Sequence, residues 1–345
     1  MKKTYAYIII TSLILFNVLI SSLGRFYKFQ GVFSVPALNA PRAEIDEPDF
    51  ASLFVSASAA AYEGKKIKSI PAPVINEEKD AHQSSTPEIA PPANLSETTV
   101  TRGRETVLGI EVNNETGYNL AEAYKKPQIK PEADGPSVLI VHTHTSESYR
   151  PSEGFDYTPT DNDRTEDLNF NVARVGAELC KSLNDLGVYA VQDPTICDYP
   201  SYNGSYKKML SVAEAALKKY PSIKVVIDLH RDAMETADGT KISTVANING
   251  EKAAQIMLVV GTDANGLYHP TWQSNFSFAA DLQKKCSEMY PELARPLNVR
   301  CERFNGHISP YEILIEVGTT GNTLPEALIS ARAAASVIAS VMSDS

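Results

Sequence analysis

From residue 136 to the C-terminus, short runs of consecutive apolar residues alternate with segments whose apolar residues recur every three or four positions. The first pattern is typical of buried strands and the second of amphipathic helices. In the segment 169–186, Val175, Leu179 and Leu183 fall on one face of such a helix. The pattern predicts strands at 138–141, 188–191, 225–229, 255–260, 299–304 and 313–317, and helices at 169–186, 202–219, 275–290 and 324–342.

This alternation predicts the fold class of the C-terminal region, residues 136–345. Strands separated by helices of this length favour an α/β fold, with a mostly parallel sheet and helices on both of its faces. Ligands of such sheets bind beyond the carboxyl ends of the strands. The residues that follow each predicted strand are therefore the first candidates for a functional site.

The N-terminal region has a different composition. Residues 5–23 carry no charge and are long enough to cross a bilayer, which predicts a membrane anchor over residues 1–24. A cleaved signal peptide is the alternative, but its apolar region would be shorter and would end in a small-x-small site. Residues 25–104 are rich in proline and polar residues, which predicts a flexible tether. Residues 105–135 are interpreted as a lead-in segment with a strand and a helix.

Charge and cysteine content narrow the function classes. The formal net charge is −10 and no clustered basic run is present, which argues against a nucleic-acid partner. The four cysteines have no CxxC spacing, which excludes the common structural zinc motifs and a thioredoxin-like redox pair. Buried free thiols and a disulfide both remain open for them. The four are Cys180, Cys197, Cys286 and Cys301.

Three of the strongest predicted strands end in residues that bind metals. The strand at 138–141 runs into His142 and His144, the strand at 225–229 into His230, and the strand at 313–317 contains Glu316. Imidazole and carboxylate groups are the ligands of catalytic zinc, which lowers the pKa of water and polarises a carbonyl group. The sequence therefore predicts one Zn²⁺ in the catalytic domain.

Two of the ligands are left as alternatives. His142 and His144 would point to the same side if the strand continued, and His144 is preferred because it lies nearer the end of the sheet. The third ligand is expected between the two histidine segments. Glu166 is preferred there and Asp167 is the alternative, although either could instead favour the dipole of the following helix.

Glu316 is the candidate general base. Partial burial at a strand end raises the pKa of a carboxylate and suits it to accept a proton from activated water. Arg231 and Asp232 are candidates to bind a substrate carboxylate or to hold His230. A serine hydrolase based on Ser146 or Ser148 is the competing chemistry, but no G-x-S-x-G elbow is present.

Several motifs resemble the stage II sporulation protein P family of endospore-forming bacteria. They occur in the family's order over residues 107–343 and comprise HTHTSESY (142–149), VARVGAEL (172–179), DLHRDA (228–233), VVG (259–261), the W-x-x-N of Trp272 and Asn275, and LIEVGTTGNTLPEA (314–327). That family is similar to the zinc-dependent N-acetylmuramoyl-L-alanine amidases, whose metal is held by His, Glu and His. Carried over, the ligands are His144 or His142, Glu166 and His230, with Glu316 as the catalytic glutamate.

The resemblance implies an exported enzyme of sporulation. It implies cleavage of the amide between N-acetylmuramic acid and the stem peptide, with an endopeptidase activity on cross-links as an additional candidate. It also implies a single-pass anchor in the mother-cell membrane, an extracytoplasmic catalytic domain, and a lytic transglycosylase and a membrane scaffold of the engulfment complex as partners. Asn275 becomes a candidate substrate contact. The chain departs from the family where Gly306 and His307 follow Asn305, so that His307 is expected to replace a family glutamine.

A second function class is a peptidoglycan-binding module that keeps this fold without catalysis. It predicts that the protein binds murein sacculi and releases no stem peptides.

Overall fold

The computed structural model describes residues 103–131, 134–160 and 162–344. The predicted anchor, and the predicted tether up to residue 102, lie outside the described residues. Their assignment stays a prediction.

An eight-stranded sheet forms the centre of the described domain, with the strand order β1-β2-β9-β8-β10-β5-β3-β4. Five of its neighbouring pairs are parallel, and β1–β2 and β10–β8 are antiparallel. The predicted fold class, a mostly parallel sheet in an α/β fold, is therefore confirmed. The strands are β1 (Gly103–Val107), β2 (Ile110–Asn114), β3 (Val138–Val141), β4 (Ala190–Gln192), β5 (Val225–Asp232), β8 (Ile256–Gly261), β9 (Leu297–Arg300) and β10 (Tyr311–Thr319), and a separate hairpin contains β6 (Val245–Ile248) and β7 (Glu251–Ala254).

Helices cover both faces of the sheet. The larger core contains residues of α2, α4 and α5, and the smaller core on the opposite face contains Met209 and Ala213 of α3 packed on Leu139, Val141 and Val226. Alternate residues of a strand point to opposite faces, so β3 and β5 contribute to both cores. The helices are α1 (Leu120–Ala123), α2 (Val172–Asp185), α3 (Ser205–Lys219), α4 (Trp272–Met289) and α5 (Leu324–Ser343), with a 3₁₀ helix at Gly306–Ile308.

Helix α2 has the buried face that the periodicity predicts. Val175, Leu179 and Leu183 are buried on one side, and burial of an apolar side chain stabilises the fold by roughly 1.5–3 kcal/mol. The Asn171 side chain accepts a hydrogen bond from the backbone N–H of Ala173 and so caps the helix start. The helix therefore begins three residues later than the predicted position 169.

Helix α5 is long and apolar enough, by length and composition alone, to cross a membrane. However, 72% of its most apolar window is buried inside the protein, where it packs against α2 and α4. Thr323 and Glu326 form a capping box at its start. The helix therefore belongs to the hydrophobic core and gives only weak support to membrane association.

Two features extend the sequence-based picture. The lead-in segment joins the main sheet, because β2 pairs with β9 in parallel, and the β6–β7 hairpin was not predicted. Its strands, VANI and EKAA, include polar residues and contain no continuous apolar run like that of β3, so they lack the pattern of a buried strand. All four cysteines lie in the described part of the chain and are free thiols, three of them buried.

Candidate functional site

The carboxyl ends of β3, β5 and β10 lie side by side, because β5 pairs in parallel with both neighbours. Glu316 of β10 is the register partner of His230 of β5. The turn after β3 is tied to β5, since the backbone N–H and the hydroxyl of Thr143 donate to the Asp228 carboxylate at 2.8 and 2.6 Å. Three distant segments thus meet at one end of the sheet.

His144 lies in the centre of this meeting point. Its ring stacks on Tyr202 with centroids 4.4 Å apart, and it meets the rings of Tyr206 and His230 edge-on at 5.6 and 5.3 Å. Burial lowers the pKa of His144, so the imidazole is neutral at neutral pH. Its buried Nδ1 has no hydrogen-bond partner and lies 4.0 Å from an Asp198 oxygen. A neutral, unpartnered imidazole nitrogen is suited to bind a metal.

His230 lies between two carboxylates. Its Nε2 is 3.0 Å from Oδ1 of Asp228, and its Nδ1 is 3.6 Å from Oε2 of Glu147. Burial alone would lower the pKa of His230, but the charges of Asp228 and Glu147 raise it well above the ordinary value. The pocket therefore attracts positive charge, and Asp228 holds the imidazole in a fixed orientation.

Glu147 is the site residue that sequence reasoning missed. Burial alone would raise its pKa, but hydrogen bonding and the charge of His230, followed by the charge of Arg231, lower it to about 2. Its Oε2 also accepts the backbone N–H of Arg231 at 3.0 Å. The sequence did contain a signal for it, the three-residue spacing from His144 to Glu147 within HTHTSE. One turn of the chain brings two residues at this spacing close together.

Glu316 presents the second carboxylate. Burial raises its pKa to about 8, and the negative charge of Glu147 adds to this although the charge of His230 opposes it. Its Oε2 is buried and has no hydrogen-bond partner. A carboxylate whose pKa lies near neutral can both accept and return a proton, as a general base requires.

His142 has a structural environment. Its Nδ1 donates to the Leu229 carbonyl at 2.9 Å, and its Nε2 accepts from the Gln192 amide at 2.8 Å. A side chain at Gly176 would collide with the ring, since a Cβ there would lie 2.6 Å from Cε1 of His142. His142 and His144 were expected to point to the same side only if the strand continued, and β3 ends at Val141. The His142 ring lies against Gly176 of α2, whereas the His144 ring lies against Tyr206 of α3. Both nitrogens of His142 are occupied, so His144 is the better metal ligand of the two.

The predicted third ligand lies outside this group. Glu166 is partly buried and its backbone N–H donates to Thr160, while Asp167 is exposed and its carboxylate accepts from Asn169. Within the described residues no contact joins either carboxylate to His144 or His230. The ligand role of Glu166 stays a prediction, and the structure brings Glu147 to His230 instead.

Arg231 and Asp232 make contacts that hold loops in place. The buried Arg231 guanidinium donates to the carbonyls of Ser148 and Asp163, each at 2.9 Å. The Asp232 carboxylate accepts from Arg295 at 2.8 Å. Neither side chain holds His230, which is oriented by Asp228 and Glu147. Their role in substrate binding stays a prediction.

A second group of buried polar side chains surrounds Gly306. A Cβ at this glycine would lie 2.7 Å from Nε2 of His269 and 3.0 Å from Oε2 of Glu312, so only glycine fits. The predicted substrate contact Asn275 is buried and donates to the Gly306 carbonyl at 2.8 Å. The ring of His307 meets that of His269 edge-on at 6.5 Å. These contacts are structural, and substrate binding by Asn275 or His307 stays a prediction.

Glu312 should make the folded state less stable as the pH rises. Burial, followed by the charge of Asp228, raises its pKa well above the ordinary value. Below about pH 4 the carboxyl is protonated in both states. At higher pH only the unfolded state ionises freely, so stability falls until the folded pKa is passed. Glu312→Gln removes this loss in the free energy of unfolding. The loss is about 1.4 kcal/mol for each unit by which the pKa of the carboxyl is higher in the folded than in the unfolded state.

The expected result for Glu312→Gln is a rise in Tm relative to the parent protein that grows as the pH is raised from about 4 to about 8. Each kcal/mol corresponds to about 2–4 °C for a domain of this size. Thermal unfolding of both proteins across this pH range gives the difference. A constant difference in Tm would mean that the carboxyl is not held neutral.

The site residues match zinc in chemistry. As they are placed in residues 103–131, 134–160 and 162–344, no three His, Cys, Asp or Glu side chains are close enough together to hold a metal ion. The 3.6 Å between Nδ1 of His230 and Oε2 of Glu147 is nevertheless near the separation of about 3.4 Å between two ligands of a tetrahedral zinc. The unpartnered Nδ1 of His144 supplies a further donor of the preferred kind. Two imidazoles and one carboxylate are a ligand set of catalytic zinc.

The hydroxyls of the serine-hydrolase alternative are already paired. Ser146 donates to Asp198 at 2.7 Å, and Ser148 is hydrogen-bonded to Tyr157 at 2.7 Å. No hydrogen bond in the described domain joins either serine to a histidine. A serine nucleophile requires such a base, so this chemistry is disfavoured.

Two solved structures show a low similarity to this fold. An N-acetylmuramoyl-L-alanine amidase of Nostoc punctiforme is 12% identical, with 60% of this chain and 96% of that chain covered and a TM-score of 0.35. The CwlD amidase from Clostridioides difficile, solved in complex with the GerS lipoprotein, is 11% identical, with 60% and 97% covered and a TM-score of 0.37. Scores of this size support no inference about activity.

The sequence comparisons are more specific. Stage II sporulation protein P of Bacillus subtilis (strain 168) is 28% identical over 233 residues, which span 64% of this chain and 55% of the relative. The chain thus matches about half the length of this curated relative. A family model for stage II sporulation protein P matches residues 46–339, which include the turn with His144 and Glu147, His230 and Glu316. The chain that brings these residues together belongs to the stage II sporulation protein P family.

Proposed function

We propose that this protein is a zinc-dependent peptidoglycan hydrolase of sporulation that cleaves the amide between N-acetylmuramic acid and the stem peptide. The observation that carries the proposal is the meeting of His144, Glu147 and His230 beside the partly buried carboxylate of Glu316. Metal-assisted amide hydrolysis needs metal ligands and a general base. The two imidazoles and the ionised carboxylate supply the ligands, and the Glu316 carboxyl, whose pKa is raised, supplies the base. The family membership and the motif resemblance are consistent with this substrate class.

His144, Glu147 and His230 would hold one Zn²⁺. When bound, the metal supplies Lewis-acid activation of water and of the scissile carbonyl. Asp228 keeps the His230 imidazole oriented with Nδ1 toward Glu147, which fixes the ligand geometry. Glu147 stays ionised because His230 and Arg231 stabilise its charge.

Glu316 would move the proton. Its carboxylate accepts a proton from the attacking water and then returns it to the nitrogen of the departing amine. Both transfers are feasible near neutral pH because burial raises the pKa of this carboxyl to about 8. The antiparallel neighbour β8 and the parallel neighbour β5 hold Glu316 on a rigid strand, as a positioned base requires.

The proposed location and partners rest on the sequence. Residues 1–24 would anchor the protein in the mother-cell membrane, and residues 25–104 would allow the extracytoplasmic domain to reach the wall. A lytic transglycosylase and a membrane scaffold of the engulfment complex are the proposed partners, since glycan strands and stem peptides must both be cut to remove peptidoglycan.

The test is digestion of purified peptidoglycan by the full-length protein, followed by mass spectrometry of the soluble products. The expected products are intact stem peptides and glycan free of peptide, and their release should stop with a chelator and return with zinc. Release of muropeptides with cut cross-links only would replace the amidase assignment by an endopeptidase. Binding to sacculi without any released product would establish the non-catalytic alternative.

A further inference from the structure

Most hydroxyl donors near the site are already engaged. In the turn after β3, Thr143 donates to Asp228, Thr145 to the Thr195 carbonyl, and Ser146 to Asp198. Ser148 is paired with Tyr157. These hydrogen bonds hold the turn that carries His144 and Glu147, so none of these hydroxyls is available to a substrate.

The two guanidinium groups near Glu147 are also engaged. Arg231 donates to backbone carbonyls of Ser148 and Asp163. Arg164 pairs with Asp198, and its guanidinium lies 5.0 Å from the centre of the Tyr202 ring. Both guanidinium groups are therefore held by backbone carbonyls or carboxylates of the protein, whereas a substrate carbonyl oxygen would also benefit from a donor that has no protein partner.

Tyr206 is placed to be that group. It is the second residue of α3 and is fixed by its neighbours: its ring meets His144 edge-on at 5.6 Å and lies 6.1 Å from Phe304, and its backbone carbonyl accepts from Asn305 at 2.8 Å. Within the described residues its hydroxyl makes no hydrogen bond to another protein group. A phenol has an ordinary pKa of about 10, so its hydroxyl carries a proton at neutral pH.

Hydrolysis of an amide places negative charge on the carbonyl oxygen as water attacks. A fixed neutral donor aimed at that oxygen lowers the barrier without attracting a competing anion. A phenol hydroxyl with an ordinary pKa near 10 is such a donor. Tyr206 carries this group on a rigid helix start, on the same side of the sheet as His230 and Glu316.

We propose that Tyr206 is a catalytic residue whose hydroxyl donates a hydrogen bond to the scissile carbonyl oxygen in the transition state. This inference rests on the proposed amide hydrolysis. The site would then contain three kinds of group: the metal ligands, the general base and a neutral hydrogen-bond donor. Helix α3, which carries Tyr206, would take a direct part in the reaction.

The test is Tyr206→Phe in the full-length protein. This substitution removes the hydroxyl alone and keeps the ring contacts with His144 and Phe304. Loss of one such donor is expected to lower kcat by about 10²-fold, with little change in KM, zinc content or Tm. The matched control is Tyr124→Phe, which removes a hydroxyl that donates to Asp281 at 2.8 Å outside the site and should leave kcat unchanged.

Three outcomes would overturn the assignment. If Tyr206→Phe keeps the parent kcat, or if it loses zinc in step with activity, the hydroxyl does not act on the carbonyl. If Tyr202→Phe lowers kcat and Tyr206→Phe does not, the donor is the neighbouring tyrosine. Failure of the parent protein itself to release stem peptides would instead reject the proposed function, so the two failures are distinguishable.

Discussion

Replacing Glu316 by glutamine is expected to lower kcat on peptidoglycan by about 10²–10⁴-fold, the range over which a positioned general base contributes. Glutamine has nearly the same shape but cannot accept and return the proton. Within the part of the chain that the structure describes, the Glu316 side chain makes no hydrogen bond that the substitution would break, and glutamine avoids the burial of a charge. Zinc content should therefore be unchanged and Tm should not fall. Release of stem peptides is measured by mass spectrometry, together with zinc per protein.

Glu312→Gln is the matched control for this experiment. Glu312 lies four residues earlier on the same strand, on the same side of it, and its pKa is also raised by burial. It contacts the Gly306 group rather than His230, so its replacement should leave kcat near the parent value. Substantial activity in Glu316→Gln would contradict the assignment of the base, and an equal loss in both variants would point to a general effect on the strand.

Much of the fold was predictable because its elements carry strong periodic signals. The central strand β3 is a continuous apolar run, β5 begins with three consecutive apolar residues, and α2 has a clear buried face. The short β6 and β7 strands lack such a signal. They form by pairing with each other across the turn between them. The pairing of β2 with β9 joins residues far apart in the chain, which local patterns do not reveal.

The candidate site was predictable where it depends on strand ends. His230 and Glu316 are register partners, and parallel strands necessarily bring their carboxyl ends to one edge. The turn after β3 was the weak point, because its path depends on the hydrogen bonds from Thr143 to Asp228 and from Ser146 to Asp198. Those contacts decide which histidine faces the site, and they place Glu147 beside His230.

The choice between Glu147 and Glu166 is the sharpest remaining test of the metal site. Glu147→Gln should lower the affinity for zinc because a neutral amide replaces an ionised ligand. The loss should exceed the roughly 10–100-fold that follows when a residue that only supports a metal ligand is replaced. Glu166→Gln should keep zinc, since that side chain is partly exposed and lies apart from the histidines.

Zinc per protein, measured after dialysis against a chelator of graded strength, separates the two variants, and both proteins should retain the parent far-UV circular dichroism. Loss of zinc from Glu166→Gln with retention by Glu147→Gln would restore the ligand that the sequence first indicated. It would also require the 160–167 segment to move toward His230 when the metal binds. Retention of zinc by both variants would remove a carboxylate from the ligand set and leave the two imidazoles as its protein donors.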